Sequence, residues 1–126
     1  MEKTMAKAPA RGFKDLDLWQ KSHALVLMVY QSTRRLPKEE LFGLTSQMRR
    51  AAVSVPANIA EAFKKRGKSD KARILNVAQG SLEELRYYCI LCGDLGYLPQ
   101  ETASEEIERV ARMLGAYIQA ILNSVS

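Results

Sequence analysis

One apolar repeat constrains this chain more than any other feature, because it runs straight across a proline. Leu41, Leu44, Met48, Ala51, Val55, Ile59 and Ala62 recur at spacings of three and four, the period of one helix face. Proline inside a helix removes a hydrogen bond and costs about 3 kcal/mol or more. If Pro56 ended the helix, the repeat would lose phase there, and it does not. The spacing predicts one helix from Lys38 or Glu39 to the breaker Gly67, kinked at Pro56, with the Ala52 carbonyl deprived of its usual donor. Ser54 or a water is a candidate to satisfy that carbonyl.

Three more segments share this period. From about Lys14 to Arg35, the residues Leu16, Trp19, His23, Val26, Tyr30 and Thr33 mark one face. Asp15 or Asp17 suits the first turn, and Leu36-Pro37 ends the helix. A third segment, with Ser69 as N-cap, runs to about Leu95 on a stripe of Leu75, Ala78, Leu82, Leu85, Cys89 and Cys92. Gly96 suits its C-terminal cap, with Pro99 soon after. A fourth covers about Gln100 to Asn123 and carries Ile107, Val110, Ala111, Leu114, Ile118 and Ile121. No strand-like alternation competes. Short connections between long amphipathic helices predict an all-α, up-down-up-down antiparallel four-helix bundle. The expected organisation is a loose tail over residues 1–12 and a single domain over 13–126.

A chain of 126 residues buries enough surface to fold without a disulfide or a metal. Cys89 and Cys92 lie too close along one helix for an unstrained disulfide, so reduced thiols and a cytoplasmic setting are expected. The first twelve residues lack the apolar run of a secretory signal. Nothing approaches the roughly 20 apolar residues of a membrane helix.

Two helices carry apolar positions beyond their main stripes. In the second these are Val53, Ala57 and Ala60; in the third, Val77, Gly80, Tyr87, Tyr88, Leu91 and Leu95. They fit either a broad core stripe or a contact between subunits. Gln47, Arg50, Ser54, Asn58 and Glu61 form a polar line on the second helix. That line suits hydrogen bonds across an interface, a ligand site, or a partly solvated edge.

Charge is unevenly spread. The net charge is +5, yet residues 31–80 hold eleven basic and four acidic side chains, and residues 81–126 hold three and seven. The density peaks in the ten residues from Lys64 to Arg73, where Lys64, Lys65, Arg66, Lys68, Lys71 and Arg73 crowd together. Cations at a helix C-terminus suit its dipole, which accounts for Lys64 and Lys65. The other four exceed that need, and an anionic partner would relieve their repulsion. Arg34, Arg35, Arg49 and Arg50 join this surface if the fold turns them to the same side. A charge run is also the ordinary composition of a solvated surface. No helix-turn-helix, RNA-binding sheet motif or zinc finger accompanies it, so nucleic-acid binding would be phosphate contact, sensitive to salt.

Catalytic patterns do not emerge. The C-x-x-C of Cys89 and Cys92 lacks a second ligand pair for zinc, and two core thiols are the simpler account. His23 is the one histidine, and a packed or edge role is its default. No Gly-rich phosphate loop and no Glu-x-x-His di-iron motif occur. Glu83-Glu84 and Glu105-Glu106 are sequence neighbours and point apart on a helix. No cofactor or metal is expected.

Several runs resemble a known family: Phe13 to Trp19, Pro37 with Glu40 to Gln47, Arg50 to Glu61, Ala78 to Ser81, and Asp94 to Tyr97. It is the bacterial four-helix-bundle family, also called the 23S ribosomal RNA intervening-sequence proteins. The resemblance spans nearly the whole chain after the tail. It implies a ring-shaped homopentamer of four-helix bundles, some members being encoded within intervening sequences of 23S ribosomal RNA genes. The accessory variability protein of diversity-generating retroelements is similar: a basic pentameric barrel that binds nucleic acid and reverse transcriptase. Where the family usually has Gly after the Ala-Glu pair, this chain has Ala62-Phe63.

The resemblance implies that Pro56 bends the second helix and that Val53, Ala57 and Ala60, with Gln47 and Asn58, face neighbouring subunits. The expectation is a non-enzymatic homo-oligomeric scaffold that binds nucleic acid, structured RNA ahead of DNA. The candidate contacts are Lys64, Lys65, Arg66, Lys68, Lys71, Arg73, Arg49 and Arg50. The alternative is an adaptor whose basic surface meets an acidic protein, with a reverse transcriptase or another protein as partner.

Overall fold

A computed structural model describes residues 9–125. It contains four long helices: α1 (Asp17–Thr33), α2 (Leu44–Lys64), α3 (Lys68–Asp94) and α4 (Ser104–Asn123). No strand occurs among the described residues. Helix α2 packs on α1 and α3, and α4 packs on α3 and α1, so the four surround one core. The architecture is that of a four-helix bundle. Residues 1–8 of the expected tail lie outside the described part; at Arg11 the backbone N–H donates to Asp15 at 2.9 Å.

Helix α2 passes through Pro56 without a break, and Pro56 is itself buried. Packing explains why the helix survives. Met48, Val55 and Ile59 are all but inaccessible, and burying each is worth about 1.5–3 kcal/mol, together more than the proline penalty. Ser54 does not stand in for the missing donor at Ala52. Its hydroxyl makes no bond to the Ala52 carbonyl among the described residues, and accepts instead from Ser81 Oγ at 2.8 Å and from Asn58 Nδ2 at 2.9 Å.

The start of α2 differs from expectation. Lys38–Glu40 form a separate 3-10 turn, and the chain bends at Gly43 before Leu44. The Glu40 carboxylate then accepts from the Leu44 N–H at 3.1 Å, supplying one of the helix's missing partners. Leu41 therefore falls outside the helix and is 51% exposed, although the rest of the predicted stripe is buried.

In α1 the inner face is Leu18, Ser22, Leu25, Val26, Val29 and Thr33. Of the expected stripe only Val26 and Thr33 are fully buried; His23 and Tyr30 are exposed and Trp19 is half-buried. Two apolar faces overlap in this segment, and the aliphatic one wins because the ring residues bear polar atoms that burial would strand. The polar members of the inner face solve that problem locally. Ser22 Oγ donates to the Leu18 carbonyl at 2.8 Å, and Thr33 Oγ1 to that of Val29 at 2.7 Å.

Helix α3 starts one residue after an extended Gly67, so Ser69 sits in its first turn and is not its cap. Its predicted stripe is buried throughout, joined by Ile74. At its end Gly96 has φ +78°, the Gly96 N–H donates to Gly93 at 3.1 Å, and the Tyr97 N–H donates to Cys92 at 2.9 Å. This paired closure needs a left-handed residue, which glycine adopts at little cost. Helix α4 begins at Ser104, not Gln100, after a turn in which Glu101 and Ala103 have φ of 64° and 61°. Cys89 and Cys92 are free and buried. Burial, helped by the nearby Cys92, pushes the Cys89 thiol up to about 11, so neither sulfur is poised as a nucleophile. Among the described residues no helix is long and apolar enough to cross a membrane.

Candidate nucleic-acid interface

The basic corner is the end of α2, the three-residue connection Lys65–Gly67 and the first turns of α3. Its six cations divide by what they touch. Lys71 Nζ donates to the carbonyls of Ala62 at 3.0 Å and Phe63 at 3.1 Å, closing the C-terminus of α2. Lys68 Nζ donates to the Ser124 carbonyl and so ties α3 to the end of α4. Arg73 pairs with Asp70 at 3.2 Å on an exposed surface. The side chains of Lys64, Lys65 and Arg66 make no hydrogen bond or ion pair among the described residues, although the Lys65 backbone N–H donates to the Ala62 carbonyl at 3.1 Å. Beside them lies a shallow cleft of about 420 Å³ lined by Arg66, Lys68, Lys71 and the last turn of α4.

The candidate arginines stand elsewhere. Arg49 and Arg50 occupy the second turn of α2, fourteen or more residues before Lys64, a separation of about 20 Å. Arg49 is committed to the fold: its Nε donates to Thr33 Oγ1 at 2.9 Å, its Nη2 to the Tyr30 carbonyl at 3.3 Å, and its guanidinium lies 4.5 Å from the Tyr30 ring centroid. Arg50 is exposed and borders a polar cleft with Gln47, Ser54, Ser81 and Glu84. Arg34 and Arg35 are exposed just beyond α1, near Arg49 and far from the corner. The structure thus groups Lys64–Arg73 and separates the arginines from it.

Of the candidate subunit contacts, Val53 is 41% exposed, Ala57 is exposed and Ala60 is half-buried. Gln47 is exposed, and Asn58 is half-buried with its amide on Ser54. Val53 continues into an open cleft of about 580 Å³ with Tyr30, Leu41, Phe42 and Arg49. Phe42, 91% exposed, is the most prominent ring there, and sequence reasoning missed it. Its signal was available: an aromatic residue out of phase with every stripe, in a turn before glycine. On α3, Val77, Gly80, Tyr87 and Leu95 are exposed, whereas Tyr88 and Leu91 pack against the core.

Among the described residues no group of three metal-ligating side chains comes together. Arg86 lies between Glu83 at 3.2 Å and Glu108 at 2.9 Å, joining α3 to α4. Fold and surface together define an all-helical bundle with a basic end and an exposed apolar cleft. The chain belongs to the 23S rRNA-intervening sequence protein family, whose model matches residues 14–116. Comparison with curated proteins gave no match.

Proposed function

We propose that this protein is a non-enzymatic, homo-oligomeric scaffold that binds structured RNA through the corner at Lys64, Lys65 and Arg66. One observation carries the reading: the side chains of three adjacent cations have no partner among the described residues at the junction of two helices. Uncommitted, crowded positive charge favours a polyanion, and binding releases the polyanion's counterions. Lys68 and Lys71 add field from positions fixed by carbonyls. The family description, which names a ribosomal RNA insertion, directs the choice of polyanion to RNA.

Self-association is the second part of this reading. The helices run up-down-up-down, and exposed Val53 and Ala57, with the Phe42 cleft, are the surface through which copies pack into a ring. Repetition around such a ring turns one weak anionic site into an array whose combined affinity is far greater. Val53→Arg or Ala57→Arg is expected to give a monomer by light scattering; an unchanged mass would remove this face from the interface.

The RNA reading is tested by fluorescence anisotropy of structured RNA and duplex DNA across a salt series. Wild type is compared with a variant in which Lys64, Lys65 and Arg66 are all Ala. A linear log–log salt dependence with a shallower slope in the variant supports phosphate contact at this corner. Absence of binding even at low salt would sink it and bring forward an acidic protein as the partner.

A further inference from the structure

Three rings at the start of the chain form a ladder. Trp19 and His23 are four residues apart on α1, the spacing at which helical side chains meet. Their rings stack with centroids 5.0 Å apart and planes only 8° from parallel. Phe13, from the 3-10 turn before α1, meets the Trp19 ring edge-on at 5.1 Å. Trp19 is half-buried and packs against the core, whereas His23 is exposed. The outermost ring of the ladder is thus held flat by the one beneath it and open to solvent.

Shielding the indole would account for Phe13 and for some cover over Trp19. An aliphatic residue at position 23 would shield it as well and bury more apolar surface. A planar, polar ring in van der Waals register is better suited to receive another flat group.

The ladder also has a telling position. The 3-10 turn that bears Phe13 packs on α2 as well as on α1. Thr33, at the far end of α1, is bonded to Arg49 at the start of α2. His23 lies ten residues before Thr33, about 15 Å along α1, and so stands level with the last two turns of α2. The ladder therefore lies toward the same end of the bundle as Lys64–Arg66. Lys14 and Lys21 are exposed on the same stretch, with Asp15 and Asp17 between them.

We propose that the Phe13–Trp19–His23 ladder is a stacking platform for an unpaired base of the RNA whose phosphates the Lys64–Arg66 corner holds. The inference rests on the RNA reading above and sharpens it. The ligand is RNA with single-stranded nucleotides, such as a loop, because bases inside a duplex have no free face. Stacking accepts any base, so the platform selects unpaired structure more than sequence.

Trp19 is the only tryptophan in the chain, so its emission reports on the platform directly. The probes are a labelled hairpin RNA with a long unpaired loop and a blunt RNA duplex with the hairpin's stem sequence. The expected result is quenching of Trp19 by the hairpin and little by the duplex. His23→Ala should weaken hairpin binding about 10-fold and leave duplex binding unchanged, and His23→Phe should restore the hairpin affinity. Unchanged melting of the His23→Ala variant would show that the fold is intact. Hairpin binding that survives His23→Ala, or that falls equally for hairpin and duplex, overturns the platform but leaves RNA binding at the corner. If the wild type binds neither RNA, both proposals fall together.

Discussion

The two ends of α2 both carry adjacent cations, and they use them differently. At its start, Arg49 spends its donors on Thr33 and the Tyr30 carbonyl and lays its plane over the Tyr30 ring. At its end, Lys64, Lys65 and Arg66 find no such partner among the described residues. The same helix therefore holds at one end a cation that fastens α1 to α2 and leads at the other into cations whose side chains have no partner among the described residues. Positive charge is evidence for a partner only where the fold has not already consumed it.

Substitutions at the two ends should separate these roles. The largest effect belongs to the triple change of Lys64, Lys65 and Arg66 to Ala. RNA affinity at low salt should fall about 100-fold, and the log–log salt slope should lose about two to three units. Its unfolding free energy from a urea titration should stay within about 0.5 kcal/mol of wild type. Arg49→Ala should do the reverse, costing about 2 kcal/mol in the same urea titration with RNA affinity unchanged. Lys71→Met probes a cation that belongs to both worlds. Loss of the bonds to Ala62 and Phe63 should lower stability by about 1 kcal/mol, since these carbonyls can turn to water, and RNA affinity should drop only a few-fold. Arg50→Ala, exposed and remote from the corner, should change RNA affinity less than about 2-fold and stability by less than about 0.5 kcal/mol. A strong loss of RNA binding in Arg49→Ala or Arg50→Ala would erase the contrast between the ends.

The cores of α2 and α3 were legible in the sequence because each has one long, clean apolar stripe, and Met48 to Ala62 and Leu75 to Cys92 are buried as their spacing requires. Gly96 was legible because a left-handed helix end selects glycine. In α1 the stripe was misplaced by a fraction of a turn, since Trp19, His23 and Tyr30 mimic a core face while Leu18, Leu25 and Val29 form it. The starts of α2 and α4 were set too early. Lys38–Glu40 and the turn before Ser104 have helix-like composition, and nothing in Glu101 or Ala103 announces a positive φ.

For the basic corner, its charge density could be read directly, but its division could not. Lys68 and Lys71 are held by main-chain carbonyls of Ser124, Ala62 and Phe63, and every residue type offers the same carbonyl. The Phe13–Trp19–His23 ladder was hidden for a related reason. Trp19 and His23 read as part of a core stripe, and only their burial distinguishes a packed ring from a presented one.

The short connection between α2 and α3 has a kinetic meaning. These two helices share the most extensive packing in the molecule, and only Lys65, Arg66 and Gly67 separate them in the chain. Contacts close in sequence form with little loop entropy, so this hairpin is the natural nucleus, with α1 and α4 closing over it later. Truncating Leu82 should then slow folding, whereas truncating Ile118 should mainly hasten unfolding. The charged turn at 65–67 would be organised before the rest of the bundle assembles, even on a chain still leaving the ribosome.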